Sequence, residues 1–144
     1  MARLQHLNAL VAPALTSWVT VYTQSLENVG LAKLIRYFDQ IILPIWFVPQ
    51  VDKLPQFLDR CDDLSGGKPT AVGLYFYDFG NSKHFTYEQM QHQLDVAEPL
   101  LRDERITGIE FTGTCMMDLG WESVQCLYDW LERVGDDQLN IHPA

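Results

Sequence analysis

"TAVGLYFYDFGN", residues 70–81, alternates apolar and aromatic residues and then breaks at an acid, a glycine and an asparagine. Residues 70–77 have strand composition. Val72, Leu74 and Phe76 fall on one side of that strand and Gly73, Tyr75 and Tyr77 on the other, because successive strand side chains point to opposite faces. One face is therefore apolar, and the other is small or aromatic with polar tips. Gly80 and Asn81 supply turn geometry behind Asp78. Asp78 either enters a site at the strand end or holds an ordinary Asx-type turn.

The same asymmetry recurs in three further segments, 17–23, 40–48 and 107–114. Their apolar sides are Val19 and Val21; Ile41, Leu43 and Ile45; Ile109 and Phe111. Their other sides are Thr20, Tyr22 and Gln24; Ile42, Pro44 and Trp46; Glu110, Thr112 and Thr114. Helical spacing fills the intervals. Leu31, Leu34, Ile35 and Phe38 follow Asn28. Leu54, Phe57, Leu58 and Cys61 follow Asp52, a candidate cap, and stop at Ser65-Gly66-Gly67. Thr86 and Gln89 form a capping box ahead of Met90, Leu94, Ala97 and Leu101. Pro99 is expected to kink or shorten that helix. Val124, Leu127, Tyr128, Leu131 and Val134 make the last helix, ending at Gly135, and residues 2–11 read as one more helix at the start.

Four consecutive βα units joined by right-handed crossovers give a parallel sheet in an α/β domain covering residues 1–144. In an open flavodoxin-like sheet, helices bury both faces and the strands read as unbroken apolar runs. Here only one face is apolar. The expectation is a (βα)4 half-barrel behind a short N-terminal helix, with the flavodoxin-like sheet as the alternative. A full barrel takes about 250 residues, so a second copy or a missing N-terminal half-barrel has to complete it.

Composition narrows the partners. The chain carries 19 acidic and 10 basic residues, a net charge of −9. That balance, with no run of Lys and Arg, disfavours nucleic acid and anionic lipid. The stretch "IILPIWFVP" is too short to span a bilayer. Cys61, Cys115 and Cys126 are odd in number and widely spaced, which fits free thiols in a reducing, cytoplasmic setting. No metal or cofactor is expected: there is no zinc spacing, no GxGxxG and no P-loop.

The strings "WVTVYTQSL", "IILPIWFV", "GLYFYDFGN", "EQMQHQLDVAEPLL", "RITGIEFTGTCMMDLG" and "ESVQCLYDWLERVGD" occur in that order. Together, over about residues 16–136, they resemble the C-terminal half of an uncharacterised bacterial family with a TIM-barrel, glycoside-hydrolase-like domain. The most specific parts are Tyr-x-x-Asp-x-Gly-Asn at the end of the third strand and Cys-x-x-Asp-Leu-Gly after the fourth. The resemblance implies a barrel half acting on or binding carbohydrate. Two positions depart from it. Gln24 stands where a His is expected, and Glu110 stands where the family carries an apolar residue.

Barrel sites lie at the C-terminal ends of strands. The substrate-binding candidates are Tyr22, Gln24, Trp46, Tyr75, Tyr77, Asn81 and Thr114, since rings stack on apolar sugar faces while amides and hydroxyls hydrogen-bond. Asp78 and Glu110 are the catalytic candidates, because glycoside hydrolysis uses two carboxylates. Glu110 lies nearer the middle of its strand than Asp78 does. Asp118 reads as an N-cap. His84 and His92 find no ligand partner by spacing, and Cys115 has no His beside it in sequence.

Overall fold

The computed structural model describes residues 15–137; the helix expected over residues 2–11 lies outside them. Four strands form a parallel sheet in chain order: β1 (Trp18–Thr20), β2 (Gln40–Ile45), β3 (Thr70–Tyr75) and β6 (Ile109–Thr112). Four α-helices alternate with them: α1 (Leu31–Ile35), α2 (Leu54–Ser65), α3 (Tyr87–Arg102) and α4 (Glu122–Val134). The protein is α/β with a parallel four-stranded sheet. A two-stranded antiparallel ribbon, β4 (Tyr77–Asp78) and β5 (Lys83–His84), projects beyond β3.

The two strand faces separate as their residue types require. Ile41, Leu43, Ile45, Val72, Leu74 and Phe76 are all at most 1% exposed beneath the helices. They meet Leu54, Leu58 and Cys61 of α2, Met90, Leu94 and Ala97 of α3, and Val124, Leu127 and Trp130 of α4 in one core. On the opposite face Trp18, Thr20, Tyr22 and Glu110 are exposed, while Ile42, Trp46, Tyr75 and Thr112 are half-buried. Small residues, Ala71 and Gly73, line its middle. A Cβ on Gly73 would stand 3.2 Å from Pro44 Cα, a backbone atom, so any side chain there would press on β2.

Pro44 also explains why β1 is short. In a parallel ladder alternate residues aim their N–H and C=O groups at the same neighbour. Ile42 accepts from Val21 on the β1 side. Pro44 shares that orientation but has no N–H to give. The first strand therefore leaves the sheet after Thr20 and turns through a short 3-10 segment, Thr23–Ser25. The strand expected over 17–23 is cut accordingly, and Gln24 sits on that turn.

Helix ends show which local signals held. The Thr86–Gln89 capping box is formed from both sides, and Gly66 closes α2 with φ 73°, a left-handed conformation suited to glycine. Asp52 does not cap α2. A 3-10 turn, Val48–Lys53, precedes the helix, and Asp52 instead meets His92 Nε2 at 2.8 Å. Nor does Asp118 cap α4: it lies within the 3-10 turn Thr114–Leu119, and the helix begins after Trp121. Pro99 does not end α3, which runs on to Arg102. Proline removes only its own N–H bond, while its carbonyl still accepts from Asp103 at 2.9 Å. Phe38 lies beyond α1, which stops at Ile35.

Candidate functional site

The C-terminal ends of the parallel strands, on the face opposite the apolar core, carry a continuous chain of rings. Tyr22 meets Trp46 at 5.0 Å between centroids, and Trp46 meets Phe79 at 6.1 Å. Phe79 takes Tyr75 edge-on at 5.6 Å and Tyr77 at 5.1 Å. Tyr77 continues to Trp121, on which the His84 ring stacks at 5.2 Å. Centroid separations of this size are those of favourable aromatic pairs. Tyr22 and Phe79 expose 39% and 48% of their surface, while Trp46, Tyr75, Tyr77 and Trp121 are half-buried.

This rim comes from three local decisions. The exit of β1 at Pro44 lets Tyr22 lie against Trp46. The short β4–β5 ribbon folds Phe79 back over Tyr75 and Tyr77. The left-handed Gly113, φ 111°, turns β6 into the segment that delivers Trp121.

Asp78 anchors the ribbon. It is fully buried, and its Oδ1 accepts from the backbone N–H groups of Gly80 at 2.9 Å and Asn81 at 3.1 Å. Its Oδ2 accepts from the Asn81 side-chain amide at 2.7 Å. Both carboxylate oxygens are thus engaged by the turn, and Asn81 is committed to the same turn. Lys83 is opposite Asp78 in register, yet Asp78 makes no ion pair among the described residues.

Glu110 sits two residues before Thr112 on β6, beside Gly73, with its side chain exposed on the open face. It makes no hydrogen bond or ion pair among the described residues. Tyr75 stands above it: burial raises the phenol's pKa, a hydrogen bond with Thr112 opposes that, and the charges of Tyr22 and Glu110 add to it. Gln24 is exposed beside the rim. The backbone of Thr114 opens the 3-10 turn, but its side chain lies outside the described set.

Two hollows open on this face. The upper, about 200 Å3, is lined by Trp46, Phe47, Phe79 and Gly80. The lower, about 260 Å3, is lined by Trp18, Ile42, Ala71, Gly108, Ile109 and Glu110. Gly80 is tightly placed in the upper one: a Cβ on it would lie 3.2 Å from both Asp78 Oδ1 and Phe47 Cβ. The Trp46 indole N–H is buried between its neighbours with no acceptor among the described residues.

The structure thus brings Tyr22, Trp46, Tyr75 and Tyr77 into one rim and leaves Asp78 and Glu110 on different levels of it. Phe79 and Trp121 belong to the rim but were not singled out by pattern. Both lie in turns, where no alternation assigns a face. His92, read as lacking a carboxylate partner, has one in Asp52; both are exposed, 44% and 76% at the side chain. Among the described residues no group of three or more His, Cys, Asp and Glu is placed to hold a metal ion. Cys61 and Cys126 are buried and Cys115 is exposed. Burial, with Asp62 adding to it, pushes the Cys61 thiol up to about 12.

Fold and site together define an α/β chain with a parallel four-stranded sheet and an aromatic rim at its C-terminal edge. No protein-family model, curated protein or solved structure matches the chain. No helix among the described residues is long and apolar enough to cross a membrane.

Proposed function

We propose that the chain is a (βα)4 half-barrel, glycoside-hydrolase-like in build, that binds carbohydrate across the C-terminal ends of its strands. The observation that carries this reading is the ring chain from Tyr22 through Trp46 and Phe79 to Trp121. Exposed, adjoining ring faces suit the apolar faces of successive sugar units, and nearby hydroxyls and amides suit their polar edges. The half-barrel form is supported by strand order: sequential parallel strands with right-handed crossovers put all their helices on one side.

Binding is favoured over hydrolysis. Two carboxylates must flank a scissile bond, and Asp78 is buried with its oxygens engaged by the turn. Glu110 is the accessible acid of the pair. Isothermal titration of wild type and Phe79→Ala against neutral oligosaccharides tests the reading. Binding to wild type that weakens at least about tenfold in the variant is expected of a stacking ring, by analogy with stacked bases. Unchanged binding in the variant removes the rim from the site.

A second reading rests on Trp18, 44% exposed at the start of edge strand β1. An open face with exposed aromatic and apolar residues and two edge strands is an association surface. A twofold pair of chains would close β6 of each copy onto β1 of the other and complete eight strands. Sedimentation velocity separates the readings: a monomer at micromolar concentration excludes the closed pair.

A further inference from the structure

The ligand's charge can be read from what the open face lacks. Only the lower hollow combines a ring with a carboxylate. The upper is lined by Trp46, Phe47, Phe79 and Gly80, and the lower has Trp18 and Glu110 in its lining. Glu110 is in no ion pair among the described residues, although six such contacts occur elsewhere among them. Nor does Glu110 have a hydrogen-bond donor among the described residues. Among the same residues, no Lys or Arg lines either hollow.

Rings next to an unpaired carboxylate attract a cation with an apolar surface, through the negative ring face and through charge together. The two levels are also spaced along one strand. Glu110 pairs in register with Gly73, two residues before Tyr75 of the rim. At strand rise that is roughly 7 Å, a step that a sugar seated on the rim spans with a substituent directed down the sheet.

We infer that the open face takes a cationic amino sugar, a glucosamine-type oligomer with free amines, with Glu110 as the group that selects its charge. This rests on the carbohydrate reading of the rim. It goes further in excluding uronic sugars, which Glu110 repels, and in ranking acetylated, neutral sugars below their free amines.

The test compares length-matched oligomers of glucosamine, N-acetylglucosamine and galacturonic acid at pH 6. Tryptophan fluorescence and isothermal titration report binding to wild type, Glu110→Gln and Phe79→Leu. The expected order is glucosamine, then N-acetylglucosamine, then galacturonic acid, the first step being about tenfold, as for one close charge pair. In Glu110→Gln that step collapses. Phe79→Leu weakens both the cationic and the neutral oligomer.

Three results overturn the inference. One is neutral binding as tight as cationic binding in wild type, which leaves the carbohydrate reading standing. Another is a preference that survives Glu110→Gln. The third is glucosamine binding indifferent to Phe79→Leu, which reveals attraction to the acidic surface as a whole. Failure of all three oligomers to bind wild type overturns the carbohydrate reading itself.

Discussion

The two faces of this sheet come from the same four strands and differ in almost everything else. Under the helices, Ile41, Leu43, Val72 and Phe76 are wholly buried and interchangeable in kind, all of them aliphatic or aromatic hydrocarbon. On the open side the residue types are mixed: tryptophan, tyrosine, threonine, proline, glycine and glutamate. Burial selects for volume and apolarity, whereas a face left to solvent or ligand is free to vary its chemistry. The contrast assigns stability to one side and recognition to the other, and substitutions should separate the two.

The largest effect belongs to the covered face. Leu74→Ala deletes a side chain that is 1% exposed at the centre of the core, and should cost about 3 kcal/mol in urea unfolding followed by circular dichroism. A loss below about 1 kcal/mol would break the comparison at its strong end. Asp78→Ala comes next. It strips the ribbon turn of three hydrogen bonds and should cost about 2 kcal/mol. The same change should also lower the protection of the Gly80 and Asn81 amides in hydrogen exchange.

Glu98, on the helix layer, gives a pH-dependent case. Burial raises its pKa, but hydrogen bonds from Trp130 and Arg102, aided by the Arg133 and Arg102 charges, outweigh that and leave it below 4.5. A carboxyl depressed in the folded state stabilises fully above its unfolded pKa, and that contribution is lost as pH falls through the lowered folded value. Glu98→Gln should therefore cost about 1 kcal/mol near pH 7. The gap from wild type should shrink as unfolding is repeated toward pH 3, and a gap that widens there would have the sign wrong. The smallest effect is on the open face: Glu110→Gln, removing an unpaired exposed charge, should move stability by less than about 0.5 kcal/mol. A larger loss would mean that Glu110 has a structural partner.

Much of the fold was legible because periodicity reports burial. The alternation in 70–77 separated Val72, Leu74 and Phe76 from Tyr75 and Tyr77, and the structure keeps them apart. Thr86 with Gln89, and Gly66 after α2, were readable because capping is settled within a few residues. Asp52 and Asp118 carried the same kind of signal and failed. In each case a 3-10 turn moved the helix start, by one residue past Asp52 and by three past Asp118, and nothing local distinguishes such a turn from the helix it precedes. The antiparallel ribbon was missed for a similar reason: two residues per strand are too few to show alternation. Of the rim, Tyr22, Trp46, Tyr75 and Tyr77 were found because they lie at strand ends. Phe79 and Trp121 were not, because a turn residue's direction depends on what the turn packs against.

By itself the sequence determined the α/β alternation, the apolar face and the acidic charge, since each is a property of composition or of spacing along one strand or helix. Only the tertiary structure decided that Asp78 closes a turn while Glu110 stands open, and that rings from four separate segments join into one rim. Those outcomes depend on which distant segments share a strand end, and contacts across a sheet leave no period in the chain that makes them.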